Sequence, residues 1–108
     1  MRTELGKIQK AFFGFGGYQD AQFGVGFTLG GSAWGVSDFR GGWGMEPSSH
    51  AKWTAEENSH VISEACTWLR DILKAAGKTD VSQLAGTPIE ATFDGMKLSS
   101  WRVLTEVI

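Results

Sequence analysis

Residues 12–44 read FFGFGGYQDAQFGVGFTLGGSAWGVSDFRGGWG, a ribbon of glycine and aromatic residues with almost no charge. It holds 11 of the 15 glycines and 9 of the 13 aromatic residues, against three charged side chains, Asp20, Asp38 and Arg40. Glycine allows positive φ angles or close approach of another surface, at an entropic cost inside a strand. Aromatic rings carry the largest apolar areas and dominate cores and interfaces. Alternating the two along a strand leaves one face large and the other nearly bare. The ribbon is therefore expected to supply both the sheet of the fold and its contact surface.

Within the ribbon the clearest strand places Phe23, Val25, Phe27 and Leu29 on one face and Gln22, Gly24, Gly26 and Thr28 on the other. A less regular alternation over Leu5–Phe15 reads as the strand before it, broken at Gly16-Gly17, with Tyr18-Gln19-Asp20 as a loop. Gly30-Gly31 signals a hairpin with a primed turn, leading into a third strand over Ala33–Phe39. Residues Arg40–Lys52, rich in Gly, Ser and Pro, read as a connection that Trp43 and Met45 pin to the core.

Outward from the ribbon, Thr54 followed by Glu57 forms a capping box, with Trp53 placed to staple onto the first turn. Val61, Ile62, Ala65, Cys66, Leu69, Ile72, Leu73 and Ala76 recur at helical spacing, and Gly77 supplies the stop. The spacing predicts a helix over Ala55–Ala76. A short helical turn over Val81–Ala85 follows, capped by Asp80 or Thr79. Pro88 opens a fourth strand with Ile89, Ala91 and Phe93 on one face, and Asp94-Gly95 marks a hairpin. The last strand is expected over Lys97–Val107, with Trp101 and Val103 on one face and Leu98, Arg102 and Leu104 on the other. The fold class is α+β: an antiparallel sheet of about five strands, β-β-β-α-β-β, with one long helix packed on one face.

At 108 residues with 42% hydrophobic and 20% charged residues, the chain reads as one domain, residues 1–108, able to bury a core without staples. A net charge of −2 with scattered basic residues argues against strong nucleic-acid binding, which rests on clustered Lys and Arg. The single cysteine, Cys66, excludes an intrachain disulfide and fits a reducing compartment. No apolar run approaches the ~20 residues of a membrane helix, and MRTELGKIQK shows no secretory h-region. The expected location is cytoplasmic.

The motifs for familiar chemistries are missing. Gly14-Phe15-Gly16-Gly17 precedes strand signals rather than opening a helix, and no GxxxxGK[ST] occurs. His50 and His60 read as solvated histidines, because zinc needs three or four convergent ligands; no metal site and no cofactor is expected. Cys66, on the helical stripe, reads as a small core residue. Asp20 and Asp38 stand in uncharged surroundings. Asp38, with Arg40 nearby, fits an ion pair or turn cap ending its strand, and also fits a polar group orienting a ligand in an aromatic pocket. Five tryptophans and seven phenylalanines exceed what so small a domain buries completely. Tyr18, Gln19, Asp20, Trp34, Asp38, Arg40 and Trp43 are accordingly the candidate binding residues. A homo-oligomer contact, such as a homodimer, satisfies the same facts.

The motifs FGFGGYQDA, WGVSDF, LAGTPIEATFDG and SWRVLTEVI together resemble a family of short proteins encoded in bacteriophage and prophage genomes. The resemblance spans most of the chain. It implies a phage context and transfers no catalytic residues. Small phage proteins of the host cytoplasm are often accessory factors that disable something in the host. The leading expectation is a non-catalytic binding protein acting on a host protein or effector complex as an inhibitor of host defence, anti-CRISPR-like or similar. The alternatives are sequestration of a nucleotide signal in the glycine-aromatic loops, a small hydrolase using Asp20 or Asp38, and a minor phage assembly component.

Overall fold

A computed structural model describes residues 1–17, 20–44 and 53–107. The elements run β1 (Arg2–Gly16), β2 (Gln22–Gly30), β3 (Gly35–Trp43), α1 (Ala55–Ala76), β4 (Pro88–Asp94) and β5 (Lys97–Val103), with short 3-10 turns at Val81–Gln83 and Thr105–Val107. All pairings are antiparallel, and the five strands lie in the order β3-β2-β1-β4-β5. This is the α+β architecture the sequence implied, with α1 on one face of the sheet.

The central strand belongs to two partners in turn. Arg2–Lys7 of β1 pair with β4, whereas Lys7–Gly16 pair with β2, and a bulge falls between Ile8 and Lys10. A bulge bends its strand and raises the local twist. Strands that pass from one layer to another turn at such points. The two halves of the sheet consequently fold toward each other. Phe27 of β2 meets Trp101 of β5 with ring centroids 5.1 Å apart. In a flat sheet those strands would stand three spacings, roughly 14 Å, apart. The buried Ala91 belongs to the same core cluster, with Ala11 packed against it, small side chains beside the large rings.

Helix α1 closes the open side of this curl. It buries Ala65, Ile72 and Ala76, and Trp68, Leu69 and Leu73 pack beside them against Val25, Phe27, Leu29 and Ile89. Its ends follow from local chemistry. Thr54 Oγ1 accepts from the Glu57 N–H at 3.1 Å. Gly77 adopts φ 70, and the Gly77 and Lys78 N–H groups reach back to the Lys74 and Leu73 carbonyls, a Schellman stop.

Several expectations need correcting. Strand β3 runs on to Trp43 instead of yielding to a loop at Arg40. Gly41 and Gly42 do not break it, because β2 supplies a ladder as far as the rung Gln22↔Trp43. A Cβ on Gly41 would lie 2.7 Å from Gly24 Cα, so bare positions are what let these strands meet so closely. Gly30-Gly31 does not make a primed turn. Neither has positive φ; the Gly31 N–H closes the connection on the Trp34 carbonyl at 3.0 Å, and the Trp34 ring fills the space beside Gly31. Strand β5 stops at Val103, after which the Leu104 N–H bonds the Pro88 carbonyl at 3.0 Å. An irregularity between Thr92 and Phe93 sets Leu98 opposite Phe93, so Leu98 packs on the core rather than facing outward. Cys66 is exposed, one residue beyond the buried Ala65, and the large stripe residue is Trp68. The expected roles of Met45 and His50 fall outside the described residues.

Candidate functional site

The free end of the β1–β2–β3 unit gathers the exposed rings. Its last rungs are Phe15↔Phe23 and Gly16↔Gln22 between β1 and β2, and Gln22↔Trp43 between β2 and β3. Phe13 and Phe15 both meet Phe23 edge-on at 5.3 Å, yet they remain 42% and 61% exposed. Trp43, 38% exposed, stacks on Trp53 with rings 6.3 Å apart and 17° from parallel. Trp53 does not staple onto its own helix; it pairs with Trp43, because the fourth helical residue is Asn58, which offers no apolar partner.

Asn58 fixes that pair. Its Oδ1 accepts from the Trp43 N–H, and its Nδ2 donates to the Trp43 carbonyl at 2.9 Å. The amide thus satisfies Trp43 as a neighbouring strand would, and covers this part of an edge strand. Gly42 makes room: a Cβ there would strike Asn58 and stand 3.0 Å from Val61 Cγ2. A concavity of about 190 Å³ lies beside the indoles, lined by Gln22, Trp43, Trp53, Glu57 and Asn58.

The sequence-based candidates do not form one site. Tyr18 and Gln19 lie outside the described residues. Asp20, exposed, is the only non-glycine residue with positive φ (54°) among the described residues, and its N–H bonds the Gly17 carbonyl at 3.3 Å. Aspartate tolerates that left-handed turn. Trp34 sits at the opposite end, against Phe93 at 5.3 Å. Its Nε1 is buried with no partner among the described residues. Asp38 neither pairs with Arg40 nor caps a turn. It accepts from Trp101 Nε1 at 2.8 Å, while the Arg40 guanidinium lies 4.0 Å from the Trp68 ring centroid. Both fasten the curl. Asp20 precedes the rung Gln22↔Trp43 and Asp38 lies on the rung Phe27↔Asp38. Five strand residues at ~3.3 Å each hold those rungs roughly 16 Å apart, too far for one substrate atom.

Other chemistry-bearing groups stay at the surface. His60 Nε2 meets Glu64 Oε1 at 2.8 Å on the exposed face of α1. Arg102 joins Glu90 and Glu106, and its hydrogen bonds hold the Glu106 carboxyl down at about 2. No group of three or more metal-ligating side chains occurs among the described residues, and none of their helices is long and apolar enough to cross a membrane. A concavity of about 730 Å³ lies at the β1 bend, where Leu5, Lys7 and Gln9 face Gly30, Gly31 and Ser32. Among the described residues that line it, Lys7 is the one cationic side chain.

Sequence reasoning missed Asn58, Trp53 as a partner of Trp43, and the exposure of Phe13 and Phe15. Asn58 left a readable trace, being a polar residue three and four positions before Val61 and Ile62 on the apolar stripe. Comparison with family models, curated proteins and solved structures returns no match to the chain.

Proposed function

We propose that this chain is a phage-encoded, non-catalytic binding protein that inhibits a host defence in the host cytoplasm, as an anti-CRISPR does, by occupying a surface of a host protein. The observation that carries this reading is the Trp43–Trp53 stack, held in place by Asn58 at the exposed end of the sheet. Buried aromatic anchors supply most of the energy of protein interfaces. Anchors ordered before binding lose little side-chain entropy when they dock. The phage context rests on the motif resemblance.

Nucleotide sequestration fits less well. Phosphates are recognised by several cations or aligned N–H donors, and the 730 Å³ concavity brings Lys7 alone.

The test is an infection assay in hosts carrying single defence systems. The wild-type chain should restore phage plating in one of them, and Trp43→Ala should abolish that restoration while Asp20→Asn keeps it. Failure to relieve any defence, or full activity of Trp43→Ala, sinks the reading. Loss of activity in a folded Asp20→Asn variant would put a catalytic role in its place.

A further inference from the structure

We infer that β1 carries a second interaction surface, its free edge from Gln9 to Gly16, which pairs antiparallel with the same edge of a second copy of this chain. Strand β4 covers β1 only over Arg2–Lys7. The Ile8 N–H and carbonyl are then taken by Thr87 and Gly86. Beyond that point no described strand lies on the side of β1 away from β2. Alternate peptide groups of Gln9–Gly16 therefore present N–H and C=O groups with no partner among the described residues, a template for another strand.

The sheet's other edges carry the usual protections. Strand β3 meets Asn58 at its end, and β5 is short, irregular and charged at Lys97 and Arg102. After Lys10, the β1 edge reads Ala11-Phe12-Phe13-Gly14-Phe15-Gly16, with no charge, no proline and two exposed rings. An uncharged, ring-bearing edge of this length is unstable against pairing unless something covers it.

The pattern of side-chain sizes selects the occupant. Centred on Phe13, an antiparallel pair of identical strands sets Phe13 against Phe13, Ala11 against Phe15, Phe12 against Gly14 and Lys10 against Gly16. Each large residue meets a small one, on both faces of the sheet, except at the two-fold axis. The chain already uses this fit internally, where Phe12 stands opposite Gly26 of β2 and its ring covers that glycine. The contact is isologous and closes on itself, so it yields a dimer with one continuous sheet of order β3-β2-β1-β1-β2-β3 and not a fibre. Trp43, on the far strand of each half, stays accessible. The dimer requires no host partner.

Sedimentation equilibrium of the full chain tests this. The wild type should show twice the chain mass, and Phe13→Lys with Phe15→Lys should halve it with an unchanged far-ultraviolet dichroism spectrum. A second arm does not depend on those variants folding. In a Cys66→Ser background, Phe13→Cys should form an interchain disulfide on mild oxidation, because directly opposed Cβ atoms lie about 5 Å apart. Phe12→Cys, which faces the partner's Gly14 on the other side of the sheet, should not. A monomeric wild type, a dimer indifferent to the lysine changes, or crosslinking through position 12 as readily as through 13 overturns the inference.

Discussion

Trp101 on β5 and Asp38 on β3 stand on strands at opposite margins of the sheet, yet the indole Nε1 donates to the carboxylate at 2.8 Å. Removing the acceptor in Asp38→Ala leaves a half-buried N–H unpaired and should cost about 1–3 kcal/mol. For a domain of this size that corresponds to a fall of roughly 4–8 °C in Tm per kcal/mol. Asp38→Asn keeps an acceptor in place and should lose less than half as much. Thermal melts followed by tryptophan fluorescence report both.

Gly24 and Gly35 should respond to alanine in opposite directions. A Cβ on Gly24 would lie 2.6 Å from Gly41 Cα and strike the Arg40 carbonyl, backbone that cannot move aside, so Gly24→Ala should destabilise by about 1–3 kcal/mol. Gly35 meets only the Leu29 carbonyl at 3.8 Å, and its φ lies outside the left-handed region. Gly35→Ala should be neutral or stabilise by up to about 1 kcal/mol, through a less flexible unfolded chain. Urea midpoints at constant slope distinguish the two.

Asn58→Ala should release Trp43 without unfolding the helix. Two hydrogen bonds to an exposed backbone are lost, at a cost of about 1 kcal/mol or somewhat more. The sharper readout is local. The Trp43 amide should exchange with solvent much faster, and the exciton signal of the Trp43–Trp53 stack in near-ultraviolet dichroism should shrink.

The carboxy-terminal turn should be sensitive to acid. Arg102 hydrogen bonds depress the Glu106 carboxyl from its ordinary 4.5 to about 2. Its folded value lies below its unfolded one, so its contribution to stability is complete above about 4.5 and vanishes as pH falls toward 2. Both side chains are exposed, so the effect is small and weakened by salt. Glu106→Gln should flatten this part of the stability profile, measured as Tm against pH at low ionic strength.

Helix α1 was legible to the residue, because a cap, a stripe and a glycine stop all act within the segment itself. The strands of the ribbon were legible as strands for the same reason. The curl was not. It depends on a bulge near Gln9 and on Trp101 meeting Phe27 from three strands away, relationships that no local pattern encodes. Glycines at 41 and 42 read as breakers, since their cost is local and the close approach that justifies them lies on β2. The candidate site suffered likewise. Asp38 and Arg40 look free in the sequence because their partners, Trp101 and Trp68, lie 63 and 28 residues away in the chain.

The shared central strand also bears on how the chain assembles. The meander β1–β2–β3 closes over short connections, whereas the rung Arg2↔Phe93 joins residues 91 positions apart. Distant pairings form late, after the entropy of a long loop has been overcome. A growing chain on the ribosome therefore carries the first half of its innermost strand bare until β4 emerges. Until then the sticky margins of β1 extend along almost its whole length, and chaperone occupancy should be greatest in that interval.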